Sequence, residues 1–413
     1  MELLRQVRVI DPVAQSDRPM DVLLDAGKIS AIASQLDAPA DVEVFDGAGL
    51  VFGPALIDLY SRSGEPGYEE RETLASLAAA AAAGGFGQVN LLPNTSPTID
   101  NPGTVAWLQQ HQPDSTVSLK PWGAITLGVK GEQLTELGDL ALAGVAGFAD
   151  GKPLTNLGLL RRFLEYAKPM AQPIMLWPYD VPLACGGLAR EGVEALRFGL
   201  PGQPVYAETT ALSAIIELVA EIGTPVHLMR ISTARSVALI QQAKAAGMPI
   251  TASTTWLHLL YDTSDLATYD PNLRLNPPLG NAADREALVA AVKTGVIDAI
   301  AVDHSPYTYE EKTVAFGEAP IGTLGLELAL PMLWQGLVET GNLSAIELWS
   351  ALSSRAASCI QQNVSAVESE TSGYVLFDTG AEWQVNSGSL HSLSQNTHLL
   401  GQMVKGKALK LFH

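Results

Sequence analysis

Residues 225–253, PVHLMRISTARSVALIQQAKAAGMPITAS, contain the pattern that decides the fold. The apolar segments PVHLMR (225–230) and PITAS (249–253) each predict a buried strand. Between them, TARSVALIQQAKAAG (233–247) has the apolar spacing of an amphipathic helix and ends on glycine. Strand, helix and strand in this order indicate two parallel strands joined by a crossover helix.

The same alternation extends over most of the chain. Eight strand candidates occur, with helical patterns between most of them: ALIDLYS (55–61), QVNLL (88–92), LKPWGAI (119–125), GVAGFAD (144–150), PIMLW (173–177), PVHLMR (225–230), PITAS (249–253) and DAIAVD (298–303). Eight such units over about 250 residues are typical of an α/β protein with a (β/α)8 TIM barrel. A doubly wound open sheet is the competing architecture, and the count of eight favours the barrel.

The two ends of the chain have a different character. Residues 1–52 read as short strands around an Asp-Ala-Gly turn, and YVLFD (374–378) and GQMVKGKALKLF (401–412) return to strand-like sequence. We therefore predict a small β-sandwich domain built from residues 1–52 and 366–413. The barrel domain would comprise residues 53–365.

The composition excludes several classes of protein. The chain has 413 residues, of which 47% are hydrophobic and 17% charged, as in ordinary globular proteins. Its 25 Lys and Arg against 44 Asp and Glu give a net charge of −19, which argues against nucleic-acid and membrane-surface partners. The two cysteines, Cys185 and Cys359, are too few for a disulfide framework, so we expect a cytoplasmic protein.

One uncharged stretch, residues 73–99, is long enough to consider as a membrane span. Its alanine run ends at Gly84 and Gly85, and polar residues and a proline follow. A spanning helix needs about 20 apolar residues without such breaks. We predict a short buried helix followed by a strand, and no membrane segment.

In a TIM barrel the active site lies at the carboxyl ends of the strands. In this chain those ends carry Tyr60, Arg62, Asn94, Asp150, Trp177, Arg230, Ser253 and Asp303. A metal-dependent hydrolase would place imidazoles and carboxylates there, whereas these positions supply two carboxylates and two guanidiniums. Because arginine stays protonated and has no acceptor atom, it cannot be a metal ligand.

Six motifs, in order, resemble the dihydroorotases of the amidohydrolase superfamily. They are GPALIDLYSRSGEPG (53–67), LPNTSP (92–97), GFADG (147–151), VHLMRIST (226–233), LNPPLG (275–280) and AVDHSPY (301–307). The resemblance covers essentially the whole chain. It implies an amidohydrolase-type TIM barrel with a binuclear metal centre that hydrolyses a cyclic amide of pyrimidine biosynthesis.

The chain departs from this family at the positions that the resemblance assigns to metal ligands. The four expected histidines are replaced by Tyr60, Arg62, Trp177 and Arg230. The family's substrate-binding arginines and its last histidine are replaced by Gly64, Gly280 and Tyr307. The retained residues are Asp150, Asp303 as a vestigial general base, and Asn94 and Asn276 as vestigial substrate-binding residues.

The two retained aspartates and the two arginines at ligand positions indicate a centre in which fixed positive charges balance the carboxylates. Without metals, Asp150 and Asp303 would each cost several kcal/mol as buried unpaired charges. Arg62 and Arg230 would restore neutrality, so we expect at least one direct pair between these arginines and these aspartates. The two aromatic replacements would fill the space of metals and imidazoles. The alternative is that the ligands decayed without compensation.

The remaining histidines have structural explanations. His227 lies three positions before Arg230, so strand alternation predicts that its side chain points away from Arg230 and under a helix. His258 and His304 are expected to satisfy local hydrogen bonds, and Lys152 is expected to be solvated.

These residues favour a catalytically inactive dihydroorotase-like protein without a cofactor. Because inactive members of the family are known as structural partners of aspartate transcarbamoylase, the resemblance implies that partner, and we expect a homodimer. The alternative is a working cyclic-amide hydrolase with a reduced zinc site built from Asp150, Asp303 and a shifted histidine such as His304. A third possibility is a small-molecule binder that uses Asn94, Asn276 and the arginines for an anionic ligand.

Overall fold

A computed structural model describes residues 1–39, 42–369, 371 and 373–412. The strands among these residues are β1 (Glu2–Asp11), β2 (Ser16–Asp25), β3 (Lys28–Ala33), β4 (Glu43–Asp46), β5 (Leu50–Pro54), β6 (Leu56–Ser61), β7 (Phe86–Leu91), β8 (Ser118–Pro121), β9 (Met175–Leu176), β10 (Ala189–Arg190), β11 (Gly202–Gln203), β12 (Val226–Leu228), β13 (Ile250–Thr255), β14 (Ala299–Ala301), β15 (Tyr374–Gln384) and β16 (Met403–Phe412).

The helices are α1 (Leu74–Ala83), α2 (Pro102–Gln110), α3 (Leu137–Ala143), α4 (Leu157–Ala167), α5 (Val181–Ala184), α6 (Val193–Arg197), α7 (Tyr206–Ile222), α8 (Ala234–Ala245), α9 (Trp256–Leu260), α10 (Ala282–Thr294), α11 (Tyr309–Lys312), α12 (Ala329–Leu333), α13 (Ala345–Leu352) and α14 (Ser354–Cys359). Short 3-10 helices lie at Leu127–Val129, Thr263–Thr268 and Pro271–Leu273, and a π-helical turn at Trp334–Val338.

Eight segments form the barrel, in the order β6, β7, β8, residues 147–149, β9, β12, β13 and β14. The fourth segment joins its neighbours through single parallel bridges from Phe148 to Gly123 and Ile174. The barrel closes beyond β14 and β6, where the N–H of Arg62 donates to the carbonyl of His304 over 2.8 Å. These are the eight segments that the sequence predicted, and the TIM barrel is confirmed.

The two ends of the chain come together in one seven-stranded sheet, so a β-sheet domain built from both termini is confirmed. Its order is β16-β15-β5-β1-β2-β3, with β4 paired to β1. The ring of Phe52 packs 5.0 Å from that of Tyr374 and 5.9 Å from that of Phe412, so both ends contribute to one apolar core. The proposed division into residues 1–52 with 366–413 and residues 53–365 stays a prediction.

The uncharged stretch of residues 73–99 folds as predicted, with α1 followed by β7. The side chain of Thr73 caps α1 by accepting the N–H of Ser76, and the helix ends at Gly84. Gly84 lies so close to the carbonyl of Leu326 that a Cβ atom would collide with it. In the part of the chain that the structure describes, no helix is both long and apolar enough to cross a membrane.

The chain between β15 and β16 leaves the sheet and returns to the barrel. The carboxylate of Glu327 accepts the N–H groups of His391 and Ser392 over 2.9 and 3.2 Å. The carboxylate of Glu72 accepts the N–H of Leu393 over 3.1 Å. Two buried barrel carboxylates therefore hold residues 391–393 against the face where the barrel strands end.

Candidate functional site

Arg230 and Asp303 form a bidentate ion pair at the barrel mouth. Nε and Nη2 of Arg230 donate to the two carboxylate oxygens of Asp303 over 2.7 and 2.6 Å. The third nitrogen, Nη1, donates to the carbonyl of Gly151 over 2.9 Å. The side chain of Arg230 is 2% exposed and that of Asp303 is 20% exposed. The expected direct pair between an arginine and a retained aspartate is present here.

Two aromatic rings enclose the guanidinium of Arg230. Its central carbon lies 4.7 Å from the ring centre of Trp177 and 5.4 Å from that of Tyr60. Trp177 in turn stacks on Tyr179 at 4.9 Å. Cation–π contacts of this kind stabilise a guanidinium that has lost its water. Tyr60 and Trp177 therefore pack around the ion pair.

Both members of the pair are held in their charged forms. Burial acts to raise the pKa of Asp303, but the positive charge and hydrogen bonds of Arg230 outweigh it and leave that pKa below its usual value. Burial acts to lower the pKa of Arg230, and the charge of Asp303 raises it overall. The centre of the mouth is therefore a salt bridge whose two opposite charges cancel.

The orientation predicted for His227 is wrong. Its ring nitrogens lie 2.9 Å from the hydroxyl of Thr251 and 2.8 Å from that of Ser253. The Ser253 hydroxyl lies 3.2 Å from the Tyr60 hydroxyl, which accepts the N–H of Arg230 over 3.1 Å. His227 thus belongs to the same hydrogen-bonded chain as Arg230. The prediction relied on strand alternation, which the left-handed φ of +58° at Arg230 interrupts.

Asp150, the other retained aspartate, forms no salt bridge with either arginine among the described residues. Its carboxylate accepts the N–H of Ile125 over 2.7 Å, and the N–H and hydroxyl of Thr126 over 3.0 and 2.6 Å. These donors follow β8, and between them they bond to both carboxylate oxygens of Asp150. Arg62 likewise donates to a hydroxyl, that of Tyr307, over 3.0 Å.

The metal centre that the resemblance implies does not fit these residues. Asp303 is the single carboxylate among the described residues that line the mouth, and Arg230 occupies both of its oxygens. The ring of His304 lies 3.4 Å from Glu72 and accepts the N–H of Gly325. No group of three or more His, Cys, Asp and Glu in the described ranges could hold a metal ion.

His258 and His304 satisfy local hydrogen bonds, as the sequence predicted. The Nδ1 atom of His258 accepts the hydroxyl of Thr255 over 2.7 Å, and its Nε2 atom donates to the carbonyl of Pro277 over 3.1 Å. Burial lowers the pKa of His258 to about 4, so the ring is neutral. Lys152 is exposed at the edge of the mouth, also as predicted.

A cavity of about 260 Å³ lies over the ion pair. Arg62 and Lys152 line it and make it positive, because Arg230 is neutralised by Asp303. Three buried polar atoms of its lining residues have no hydrogen-bond partner among the described residues: Arg62 Nε, Trp177 Nε1 and Asn276 Oδ1. Asn94 does not line this cavity. Its amide nitrogen lies 3.4 Å from the Asp150 carbonyl.

The two positions where the family resemblance implies arginines, Gly64 and Gly280, are closed by neighbouring backbone and side chains. A Cβ atom at Gly64 would collide with the carbonyls of Tyr68 and Glu72. A Cβ atom at Gly280 would lie 2.5 Å from the Cβ of Asp284. Neither position can accept a side chain without a shift of its surroundings.

Asp58, a residue that was not among the predicted site residues, is fully buried in β6. Its carboxylate accepts the N–H of Val302 over 2.7 Å and the hydroxyl of Ser61 over 2.5 Å, and so links β6 to the end of β14. Burial raises the pKa of Asp58 to about 7, and the nearby charge of Asp303 acts in the same direction. In the sequence, Asp58 could have been identified as a functional candidate because it is a carboxylate inside the apolar segment LIDLY.

Comparisons with known proteins agree with the geometry of the fold. The sequence profile of a family described as "Dihydro-orotase-like" matches residues 49–236. The chain is 43% identical to the "Probable dihydroorotase-like protein" of Synechocystis sp. (strain ATCC 27184 / PCC 6803 / Kazusa), over 98% of each chain. It is 38% identical to the "Dihydroorotase" of Geobacter sp. (strain M21), over 98% of this chain and 96% of that one.

A solved structure resembles the whole chain. The L-hydantoinase (dihydropyrimidinase) from Arthrobacter aurescens superimposes with a TM-score of 0.85 and covers 99% of this chain and 94% of its own. The two sequences are 21% identical, so this likeness establishes the fold alone.

Proposed function

The chain belongs to the dihydroorotase-like family, and we propose that it is a catalytically inactive member that serves pyrimidine biosynthesis as a structural or regulatory partner of aspartate transcarbamoylase. One observation carries the proposal of inactivity. The salt bridge between Arg230 and Asp303 lies where the family resemblance implies a metal centre.

This salt bridge removes the two tasks that Asp303 would perform in a hydrolase. A metal-dependent hydrolase lowers the pKa of its attacking water through the metal, and a general base then accepts a proton. Arg230 donates to both oxygens of Asp303 and places its own positive charge beside them, which opposes the binding of a metal cation there. It also holds the pKa of Asp303 below its usual value, so this carboxylate is a poor proton acceptor at neutral pH.

Recognition of the family's substrate is weakened as well. Dihydroorotate carries a carboxylate, for which a bidentate arginine is the best-suited partner. The positions of the family's arginines are Gly64 and Gly280, and neighbouring atoms close both. A substrate without this clamp would lose orientation as well as affinity.

Metal analysis paired with an activity assay tests the inactivity. We expect well under one zinc per chain in the purified protein and no ring opening of dihydroorotate, before or after added zinc. The dihydroorotase from Geobacter sp. (strain M21), assayed in parallel, is the positive control. Stoichiometric, chelator-sensitive zinc with turnover would contradict the proposal and support the working hydrolase.

Co-elution tests the partnership. The chain and the aspartate transcarbamoylase of the same organism, purified separately and mixed at micromolar concentration, should elute as one larger particle. The transcarbamoylase should melt at a higher temperature in that particle, because a ligand that binds only the folded state stabilises it. Independent elution would contradict the partnership. Sedimentation of the chain alone tests the proposed homodimer.

A second candidate function, the binding of a small anion, is favoured by the unpartnered atoms of the mouth. Arg62 Nε and Trp177 Nε1 can donate, Asn276 Oδ1 can accept, and the lining is positive. Dihydroorotate should then raise the melting temperature without being hydrolysed. Arg62→Met should abolish the shift, whereas Arg161→Met, at an exposed helical position, should retain it. No shift with the native chain would exclude dihydroorotate as the ligand.

A further inference from the structure

A second and larger cavity, of about 1090 Å³, opens on the same face of the barrel. We name it the rim groove and define it by residues 70, 270–272, 308–310, 312–315, 393–396 and 400. Most of these residues belong to the loops after β6, β13 and β14 and to the segment between β15 and β16. The rim groove shares no lining residue with the mouth cavity.

The walls of the rim groove are fixed by side-chain hydrogen bonds. Arg71 donates to both carboxylate oxygens of Glu311 over 3.1 and 2.6 Å, which ties α11 to the loop after β6. The side chain of Asn396 accepts the N–H of Tyr307 over 3.0 Å and donates to the carbonyl of Ser305 over 2.9 Å. The groove is therefore formed before any partner arrives, which lowers the entropic cost of binding.

Large apolar side chains are exposed along this groove. Tyr309 is 77% exposed, Leu393 53%, Leu400 47% and Val314 42%. Single exposed apolar residues are normal, whereas a group of them around one concave surface is typical of an interaction site. The four residues come from two separate segments of the chain, so the fold assembles them.

The polar groups of the rim groove are acidic. Glu70, Asp270 and Glu310 contribute carboxylates. The one cation of the described lining, Lys312, is 5% exposed, and its ammonium donates to three main-chain carbonyls over 2.6 to 3.0 Å. The buried Oδ1 atom of Asn272 has no hydrogen-bond partner among the described residues. The groove thus offers acceptors and negative charge, and it lacks a free cation.

We propose that the rim groove binds a segment of the partner protein in which lysine or arginine alternates with large apolar residues. The apolar side chains of that segment would cover Tyr309 and Leu393, and its N–H donors would reach Glu310 and Asn272. The inference rests on the proposed function, because it takes aspartate transcarbamoylase as the partner. A second copy of this chain is a poorer occupant. Its 44 acidic against 25 basic residues give it a net negative charge, which the acidic groove would repel.

Photo-cross-linking of the complex tests the location. A benzoylphenylalanine is introduced at position 309 or 393, and as matched controls at Leu142 and Leu196, which are 89% and 84% exposed and lie outside the groove. We expect cross-links to transcarbamoylase from positions 309 and 393 only, to a segment in which lysine or arginine alternates with large apolar residues. Cross-links to another copy of this chain, or to an acidic segment, would overturn the inference.

Binding measurements test the chemistry. The variant Tyr309→Ser/Leu393→Ser and the variant Glu310→Lys should each weaken the affinity for transcarbamoylase about tenfold or more, as expected for central interface residues. The control Leu142→Ser/Leu196→Ser should stay within about twofold of the native chain. Each variant is first checked for a native melting temperature.

The outcomes separate the two proposals. If the native chain binds transcarbamoylase and the groove variants bind equally well, the groove inference is wrong and the proposed function stands. If the native chain and transcarbamoylase elute independently, the proposed function fails, and the groove inference falls with it.

Discussion

Arg230 brings a fixed positive charge to a position where the family resemblance implies a metal ligand, and Asp303 accepts two hydrogen bonds from it. Both residues have left-handed backbones, with φ of +58° and +54°. That conformation costs a non-glycine residue about 1 kcal/mol, so the surrounding contacts must hold it in place. Desolvating two charges is also costly, and the geometry of the pair offsets this cost only while both partners are present.

Removing one partner should therefore be far more damaging than removing both. Arg230→Met should lower the free energy of unfolding by about 3–5 kcal/mol, because it leaves the Asp303 carboxylate without its counter-charge. The double variant Arg230→Met/Asp303→Asn should recover much of that loss. Denaturant unfolding measures both values, with Arg161→Met as the control, since Arg161 pairs with Glu165 on an exposed helix face. A double variant as unstable as the single one would show that the arginine does not compensate the aspartate.

Asp58 should make stability depend on pH. The pKa of Asp58 is about 7 in the folded chain and 3.8 as a free side chain, so between these values the folded state holds a proton that the unfolded state has released. The free energy of unfolding contributed by this group therefore falls as the pH rises from about 4 to 7, by up to about 1.4 kcal/mol per pH unit.

Asp58→Asn should remove this slope, because an amide does not titrate in this pH range. Unfolding of the native chain and the variant at several pH values between about 5 and 7 measures the difference. The exposed Asp114, changed to Asn, is the control and should keep the native slope. Parallel pH profiles for the native chain and Asp58→Asn would mean that Asp58 is ionised throughout.

At the scale of elements, Glu72 joins three parts of the chain just before α1. Its buried carboxylate accepts the hydroxyls of Ser76 and Ser392 and the N–H of Leu393, and the ring of His304 lies beside it. Burial acts to raise the pKa of Glu72, but these hydrogen bonds, above all that of His304, lower it overall. The carboxylate therefore stays charged and can accept from several donors at once.

Glu72→Gln should loosen the segment between β15 and β16. One amide nitrogen would face donors in place of an acceptor, so the free energy of unfolding should fall by about 1–3 kcal/mol. Hydrogen exchange of residues 391–396 should become faster, while that of β13 and β14 stays unchanged. The matched control is Glu69→Gln, because Glu69 is exposed and its carboxylate accepts the N–H of Gly67. Unchanged exchange at residues 391–396 would show that Glu72 does not retain the segment.

The elements could be predicted from the sequence because each strand and helix has its own local pattern, and eight repeats leave few architectures. The side-chain partners could not. Asp150 is taken by donors from residues 125–126, and that depends on a loop whose shape no local pattern specifies. His227 depends on one backbone angle at Arg230. The Arg230–Asp303 pair was predictable because charge balance in a buried site restricts the choice.

At the scale of the whole molecule, both cavities lie on the face where the barrel strands end, and they differ in charge. The mouth is positive through Arg62 and Lys152, while the rim groove is acidic within a chain of net charge −19. Tyr307 lies between them: its hydroxyl accepts from Arg62, and its ring centre lies 5.3 Å from the Lys312 ammonium. A partner in the groove would therefore lie beside Thr308, the chain neighbour of Tyr307.

The charge of the chain predicts how the proposed association with transcarbamoylase should respond to salt. A basic segment approaching an acidic groove is steered by long-range attraction, which counter-ions screen within a Debye length of about 10 Å at 0.1 M. Raising the salt from about 50 to 500 mM should slow association about tenfold and change dissociation less, because contacts inside the formed interface are screened less. Surface plasmon resonance measures both rates. Glu310→Gln should flatten the salt dependence, whereas Glu132→Gln, an exposed acid outside the groove, should leave it nearly unchanged. Association that is insensitive to salt would mean that apolar contacts alone select the partner.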